Sequence, residues 1–361
     1  MRILTGIDLP YGSPGGSVEL LRDLYLEPGP LVPADTFMLA PADGTAVRTD
    51  SRLSLLSVDG KALSGAAFRA YVDTLSTAIA TTFGDTGYDV LHLQHLTFGA
   101  TPALARAFPR AATIALVHGT DLLFAAEHQT QARVLRETAA SADAVVVPTT
   151  AMADRLRRIA PVTTERIVHI PWGVPDHLLE QPPARSGGRP DALRVLYAGR
   201  LTAEKATAGL LSAVAGLDGI ELGVAAPPHE YAKLSERTDL SHIHYLGWLS
   251  RERLWHEFGR HDLLIAPSLK LEAFGLVTIE AQACGLPVAY QPVPGLAEVL
   301  GESALPVDFA DLTGLAARLE ELHRTRTLLD DLTAAGRVNS RRFPLSRTAR
   351  ELTELSSEVA R

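Results

Sequence analysis

A single cysteine, Cys284, stands in 361 residues, so the chain forms no disulfide within itself and suits a reducing compartment. Its small apolar neighbours read as the surroundings of a core thiol rather than of a nucleophile. Lysine is almost as scarce: Lys61, Lys205, Lys233 and Lys270 are the only ones, the remaining basic residues being arginine, so each lysine is informative. The formal net charge is -8 with no long basic run, which argues against nucleic acid as a partner. No apolar stretch is long enough to span a bilayer, and Met1-Arg2-Ile3-Leu4-Thr5 leads into a strand without the charge pattern of a signal peptide. A cytoplasmic protein with no strong membrane signal is expected. Internal repeats, low-complexity runs and a G-x-G-x-x-G turn are missing too, and no two aspartates lie two residues apart.

A hydrophobic content of 46% over this length is enough for two domains with separate cores. Apolar runs at Tyr88–Leu93, Thr113–Val117, Ala144–Val147 and Ile167–Ile170 read as strands. Gly65–Ala80, Pro102–Ala107, Glu127–Ala140 and Ala151–Ile159 read as helices between them. Continuous apolar strands alternating with helices predict a parallel sheet covered on both faces. The stretch from Leu31 to Gly65 is too irregular to assign. A Pro- and Gly-rich segment from Gln181 to Pro190 then marks a boundary. Beyond it a second alternation begins, with strands at Leu193–Tyr197, Glu221–Val224, His244–Leu246, Leu263–Ala266 and Val288–Tyr290. Two similar α/β halves with a cleft between them are expected, the place where a two-substrate site would form.

Ligands of parallel sheets bind outside the carboxyl ends of the strands. His95 and His118-Gly119-Thr120-Asp121 each follow a predicted strand directly. The glycine leaves the backbone open at His118, and Asp121 could orient the ring; His95 reads equally as an ordinary loop histidine. Near the N-terminus, Gly12 to Gly16 lies between a strand and a helix starting near Val18, where backbone amides can receive an anion or a tight turn can simply close. Gly199-Arg200-Leu201-Thr202-Ala203-Glu204-Lys205 tops the first strand of the second half. Arg200 as a bidentate fork and Lys205 as a compact charge could hold a diphosphate; Glu204 could instead make them a solvated surface cluster.

The most telling stretch runs from Ala266 to Val288, APSLKLEAFGLVTIEAQACGLPV. A buried strand ends at Pro267-Ser268, Glu272 falls in the following loop, and Glu280 falls on a helix, the two acids eight residues apart and so nearly on one face. The N–H groups at that helix start make an anion site between them. A ligand with a phosphate in its middle and hydroxyls at both ends, a nucleotide sugar, suits this layout.

Together with Phe274-Gly275-Leu276 and the closing Ala281 to Val288, this stretch resembles the donor-site signature of the retaining family-4 glycosyltransferases. The likeness is strongest over Leu193–Val299, moderate over Thr113–Val174, and nearly absent between Leu26 and Ala80. It implies the GT-B fold: two Rossmann-like domains facing across a cleft, at residues 1–180 for the acceptor and 181–342 for the donor, with a final helix at 343–361 packing back on the first. It implies transfer of a hexose or N-acetylhexosamine, UDP-linked by preference, to a hydroxyl of a small-molecule acceptor, with retention and with no essential cofactor or metal. Arg200 and Lys205 would bind the diphosphate and Glu272 the sugar hydroxyls. Gly199, Phe274, Gly275 and Leu276 would line the donor, Glu280 would hold the ribose, Gly15 and Gly16 would lie near the phosphates, and His118 near the donor sugar. His95 and Asp121 are the candidate acceptor contacts. Trp172-Gly173-Val174-Pro175 departs from the family's Asn-Gly-Val-Asp, and Lys205-Ala206 from its Lys-Gly. A natural-product pathway is a candidate context. A nucleotide-sugar epimerase or glycoside phosphorylase of the same fold, and outside enzymes a two-domain sugar-binding protein, are the alternatives.

Overall fold

A computed structural model describes residues 1–26, 29–41, 51–186, 191–203 and 205–361. Glu204 and the Gly187–Pro190 end of the expected linker therefore lie outside the described residues. The chain divides into two compact units, Met1–Trp172 with Leu345–Arg361, and Gly173–Pro344. The division falls at Trp172/Gly173, a few residues before the Pro- and Gly-rich segment in which the sequence places the boundary.

Unit 1 opens with β1 (Ile3–Pro10), α1 (Gly16–Tyr25), β2 (Asp35–Leu39), β3 (Leu53–Leu56), α2 (Gly65–Phe83), β4 (Val90–Leu93), α3 (Ala100–Ala107) and β5 (Ala112–Leu116). It continues with α4 (Thr120–Glu127), α5 (Gln129–Ser141), β6 (Ala144–Val147), α6 (Thr150–Ile159) and β7 (Ile167–His169). Among the described residues its seven strands are parallel, in the order β3-β2-β1-β4-β5-β6-β7. Strands such as β4 and β6 are buried along their whole length, which is why their sequences are continuously apolar rather than alternating.

Unit 2 contains α7 (Asp176–Glu180), β8 (Leu193–Ala198), α8 (Ala208–Ala215), β9 (Ile220–Ala225), α9 (Pro228–Ser235), β10 (Ile243–Gly247) and α10 (Arg251–Arg260). Then follow β11 (Leu263–Ala266), α11 (Leu276–Ala283), β12 (Val288–Tyr290), α12 (Pro294–Leu300), β13 (Leu305–Pro306), α13 (Leu312–Arg324) and α14 (Thr327–Ser340). The sheet is again parallel, in the order β10-β9-β8-β11-β12-β13. Its core joins Leu193, Val195, Leu222, Val224 and Ile265 of the strands to Leu211, Leu315 and Leu319 of the helices.

The last helix, α15 (Leu345–Val359), belongs to unit 1. It buries Leu345, Ala349, Leu352 and Leu355 on one face, a helical period. Polar ties pin it: Thr348 Oγ1 donates to the Pro171 carbonyl at 2.8 Å, and Ser356 Oγ lies 2.8 Å from Nε2 of His92 on β4. No helix among the described residues is long and apolar enough to cross a membrane.

Strand order reverses between β1 and β4 in unit 1 and between β8 and β11 in unit 2. At such a reversal the connections leave in opposite directions and open a crevice at the carboxyl ends of the strands. The candidate residues gather at these two edges.

Candidate functional site

In unit 2, β8 runs out into Gly199 and Arg200, and β11 into the loop that carries Ser268 and Glu272. Lys205 Nζ donates to Glu272 Oε2 at 2.8 Å, and Ser268 Oγ donates to the same oxygen at 3.2 Å. The lysine and glutamate side chains are 42% and 20% exposed, so a ligand can reach both. Gly275 ends the loop with φ 80°, a left-handed conformation that an L side chain resists, and caps α11. A Cβ there would meet the Leu296 side chain at 2.4 Å, and one at Gly295 would lie 1.8 Å from the Glu272 carbonyl oxygen. Backbone thus packs on backbone under Glu272, and α11 starts beside it, its N-terminus carrying the positive end of the helix dipole. The Phe274 ring is buried edge-on against Phe343, with 5.1 Å between centroids, so only its backbone can serve a ligand.

Arg200 is held differently. Its guanidinium meets Glu230 Oε1 at 2.8 Å through both Nε and Nη2, and Glu230 Oε2 accepts the Leu201 N–H at 2.7 Å. The Tyr197 hydroxyl donates to the Arg200 carbonyl. Glu280, in the second turn of α11, is 5% exposed and has its own partners. Arg251 donates to Oε1 from Nε at 3.0 Å and from Nη2 at 2.6 Å, and Trp255 Nε1 donates to Oε2 at 2.9 Å. The structure therefore joins Lys205 to Glu272 directly and gives Arg200 and Glu280 separate anchors. Sequence reasoning missed those anchors, Ser268, Glu230, Arg251 and Trp255. Two of them carried a helical signal, since Arg251 and Trp255 are four residues apart on α10.

In unit 1, Gly15 caps α1 with φ 148° and Gly16 is its first residue. His118 follows β5 and lies nearly parallel to the Trp172 ring, centroids 5.6 Å apart, and 4.8 Å from the ring of His95. Its Nε2 is 3.3 Å from Gln94 Oε1. Asp121, expected to orient that ring, is fully buried and instead receives the N–H of Leu96 at Oδ2 (3.2 Å) and of Leu122 at Oδ1 (3.1 Å). A short loop needs its amides satisfied more than His118 needs a second partner, so the carboxylate braces the turn after β4. Burial pushes His95 down to about 3, with the Lys61 cation adding to it. Burial, with His95 adding, takes His118 well below the usual histidine value. Burial raises Asp121 to about 6 against the opposing pull of the backbone amides. Cys284 is buried, and its thiol is pushed up to about 12, as a core thiol would be.

Residues 41–178 match the model described as Glycosyltransferase Family 4, and residues 183–338 match that described as Glycosyl transferases group 1. The chain belongs to the family-4 glycosyltransferases. Among curated relatives, D-inositol 3-phosphate glycosyltransferase of Mycolicibacterium smegmatis is 31% identical over 260 residues, 65% of this chain and 59% of that protein. The enzyme of the same name from Streptomyces bingchenggensis is 32% identical over 197 residues, 49% of this chain and 43% of that one. The chain thus spans less than two thirds of the length of these relatives. Among solved structures, sucrose-phosphate synthase from Thermosynechococcus elongatus superposes with a TM-score of 0.78 at 18% identity, covering 99% of this chain and 98% of that one. Anabaena HepE in complex with UDP-glucose gives 0.74 at 18% identity, covering 99% and 100%. The fold is accordingly the GT-B class, built of two parallel-sheet α/β domains.

Proposed function

We propose that the chain is a retaining, metal-independent glycosyltransferase that moves a hexose or N-acetylhexosamine from a nucleoside diphosphate, UDP by preference, to a hydroxyl of a small-molecule acceptor in natural-product biosynthesis. The observation that carries this reading is the 2.8 Å contact of Lys205 with Glu272 at the β8/β11 reversal, beside the start of α11. An ammonium, a helix N-terminus and an acid gathered there suit a diphosphate that is bonded to a sugar. HepE's complex with UDP-glucose supports the uridine preference, and the inositol acceptor in the relatives' name supports a hydroxylated small molecule.

The charge scheme follows. The bond from the anomeric carbon to the diphosphate oxygen breaks, and the electron pair leaves with the diphosphate. Arg200, Lys205 and the α11 N–H groups, lined by Gly199, Phe274, Gly275 and Leu276, stabilise that negative charge. Glu272 holds the sugar hydroxyls and faces the positive charge that grows on the ring. The acceptor oxygen bonds the same face of the carbon and passes its proton to the leaving phosphate oxygen, so the anomeric configuration is kept and no side-chain nucleophile is required. Glu280 serves the ribose by exchanging Arg251 or Trp255 for its hydroxyls. Gly15, Gly16 and His118 are the contributions of unit 1, with His95 toward the acceptor and Asp121 bracing the turn behind it.

The test is a mass-spectrometric screen of UDP- and GDP-sugars with pooled hydroxylated acceptors, the product anomer being read by NMR. The reading expects a new glycoside of retained configuration together with the free nucleoside diphosphate. Inverted product, or no consumption of any donor with no thermal shift by any of these nucleotides, overturns it.

A further inference from the structure

The crevice edge of unit 1 at β1 and β4 holds an aromatic row of which the charge scheme uses only His95 and His118. The turn after β4 contains Phe98, the one non-glycine residue among those described with positive φ, at 67°. Tethers fix this turn from several elements. The Phe98 N–H donates to Gln131 Oε1 at 2.8 Å, the Gly99 N–H to Asp8 Oδ2 at 3.1 Å, the Leu96 N–H to Asp121 Oδ2 at 3.2 Å, and Thr101 Oγ1 to the His95 carbonyl at 2.5 Å. A bulky residue kept in a left-handed conformation by so many bonds marks a place where local preference yields to something else, commonly a ligand.

The strained turn sets the Phe98 ring in a row. His95 lies 5.1 Å from it edge-on, Phe124 of α4 lies 5.4 Å away on another side, and His128 follows Phe124 at 4.0 Å. Beyond His95 the row continues through His118 to Trp172. Phe98 and Phe124 are half-buried and His128 is exposed, so part of the row faces outward. Trp172 Nε1 and Thr97 Oγ1 are buried with no hydrogen-bond partner among the described residues. The nearby cation, Lys61, is spent on Asp8, 3.3 Å from its Oδ2.

We propose that Phe98, Phe124 and His128, continued by His95 toward the donor-side His118, form the acceptor ledge of this enzyme, on which the C–H face of an uncharged, hydroxylated six-membered ring lies while its hydroxyls meet the imidazoles of His95 and His128. The proposal rests on the transferase reading and deepens it. Aromatic faces attract the polarised C–H groups of a ring polyol, and an imidazole that stays uncharged offers one donor and one acceptor to its hydroxyls. Among the described residues, the cation beside His95, Lys61, is paired with Asp8, which leaves the ledge ill suited to a phosphate. It separates this chain from relatives named for a phosphorylated inositol.

Saturation-transfer NMR on the full chain tests it, with myo-inositol and methyl β-D-glucopyranoside as neutral probes and inositol 3-phosphate as the charged one. Wild type is expected to saturate the ring C–H protons of a neutral probe, and Phe98→Gly and Phe124→Leu to weaken that signal by about three- to tenfold. Phe98→Gly is expected to melt at or above the wild-type temperature, because glycine adopts φ 67° without strain; a merely structural ring would make the variant melt lower. Undiminished signal in both variants, saturation of the charged probe only, or no neutral probe saturated by wild type overturns the ledge. Thermal shift by UDP and GDP, measured on the same samples, is expected to be the same in all three proteins. Its absence from wild type would sink the transferase reading while leaving the ledge to be judged on the probes.

Discussion

Lys205 and Arg200 share a charge but not a setting, and the difference sets what their removal should do. The Lys205–Glu272 pair is part-exposed and the Arg200–Glu230 pair has an arginine side chain that is 49% exposed. Such pairs contribute little to folding, under about 1 kcal/mol. Lys205→Ala and Arg200→Ala should therefore cost at least about a hundredfold in kcat, as loss of a preorganised charge donor does, with melting temperatures close to wild type. Steady-state kinetics beside calorimetry checks both halves; wild-type turnover in either variant contradicts the assignment. Glu230 positions Arg200 from α9, so Glu230→Gln, which keeps an acceptor for the Leu201 N–H but no charge, should lower kcat less than Arg200→Ala and leave the KM for the acceptor unchanged. That split distinguishes positioning from a general loss of structure. Of these groups, the sequence displayed the ones whose chemistry is local: Glu272 ahead of a helix, and two basic residues after a strand. Glu230, Ser268, Arg251 and Trp255 were hidden because their role is to hold another side chain across 4 to 30 positions of chain; the four-residue spacing of Arg251 and Trp255 marks a shared helix face but does not report the Glu280 they hold.

Elements were legible where they are buried on both faces. β6, β11 and β12 fall where continuous apolar runs place them. β2 and β3 lie inside the stretch that defeated assignment, and β3 reads Leu-Ser-Leu-Leu, too short and too mixed to stand out. The helix expected over Glu127–Ala140 is α5, and the helix before it, α4, had no counterpart in the sequence reading; the two are parted at His128, which takes extended backbone angles. The two-residue β13 was missed for want of length. The docking of α15 onto β4 carries a pH prediction of its own. His92 is fully buried between the Tyr25 hydroxyl, 2.8 Å from Nδ1, and Ser356 Oγ, and burial lowers it to about 3. Its folded value lies below its unfolded one, so the unfolded chain binds a proton that the folded chain refuses. Stability should fall as pH drops from about 6.5 toward 3, by about 1.4 kcal/mol per pH unit for each such histidine. His95, also lowered to about 3, adds to the slope. Asp121, raised to about 6, works the other way, favouring the fold below about 4 and losing that as pH rises through 6. The histidines outnumber it, so urea unfolding at pH 5 should give lower stability than at pH 7, and His92→Gln should flatten the profile by one proton's worth. Equal stability at both pH values would contradict the buried neutral state of these rings.

At the scale of the molecule, two parallel sheets, each reversing its strand order once, explain why residues so far apart in sequence share an edge. Gly199–Lys205 and Ser268–Gly275 are separated by more than sixty positions yet meet because β8 and β11 are neighbours. The expectation of two α/β halves was readable from the repeated alternation of strands and helices, whereas the place of α15 in unit 1 depends on ties such as those of Thr348 and Ser356, which no spacing in the sequence reports. The acceptor end stayed obscure for a physical reason: aromatic stacking and a strained turn leave no spacing rule in a sequence. The central claim, that this family-4 chain holds a diphosphate through Lys205, Arg200 and the start of α11, is tested most directly by calorimetric titration of UDP against uridine, and GDP against guanosine, into wild type, Arg200→Ala and Lys205→Ala. The account predicts that wild type binds one nucleoside diphosphate at least about a hundredfold more tightly than its nucleoside, a margin of about 2.7 kcal/mol, and that each variant loses most of that margin. Equal affinity for nucleoside and diphosphate in wild type, or a margin that survives both substitutions, would contradict it.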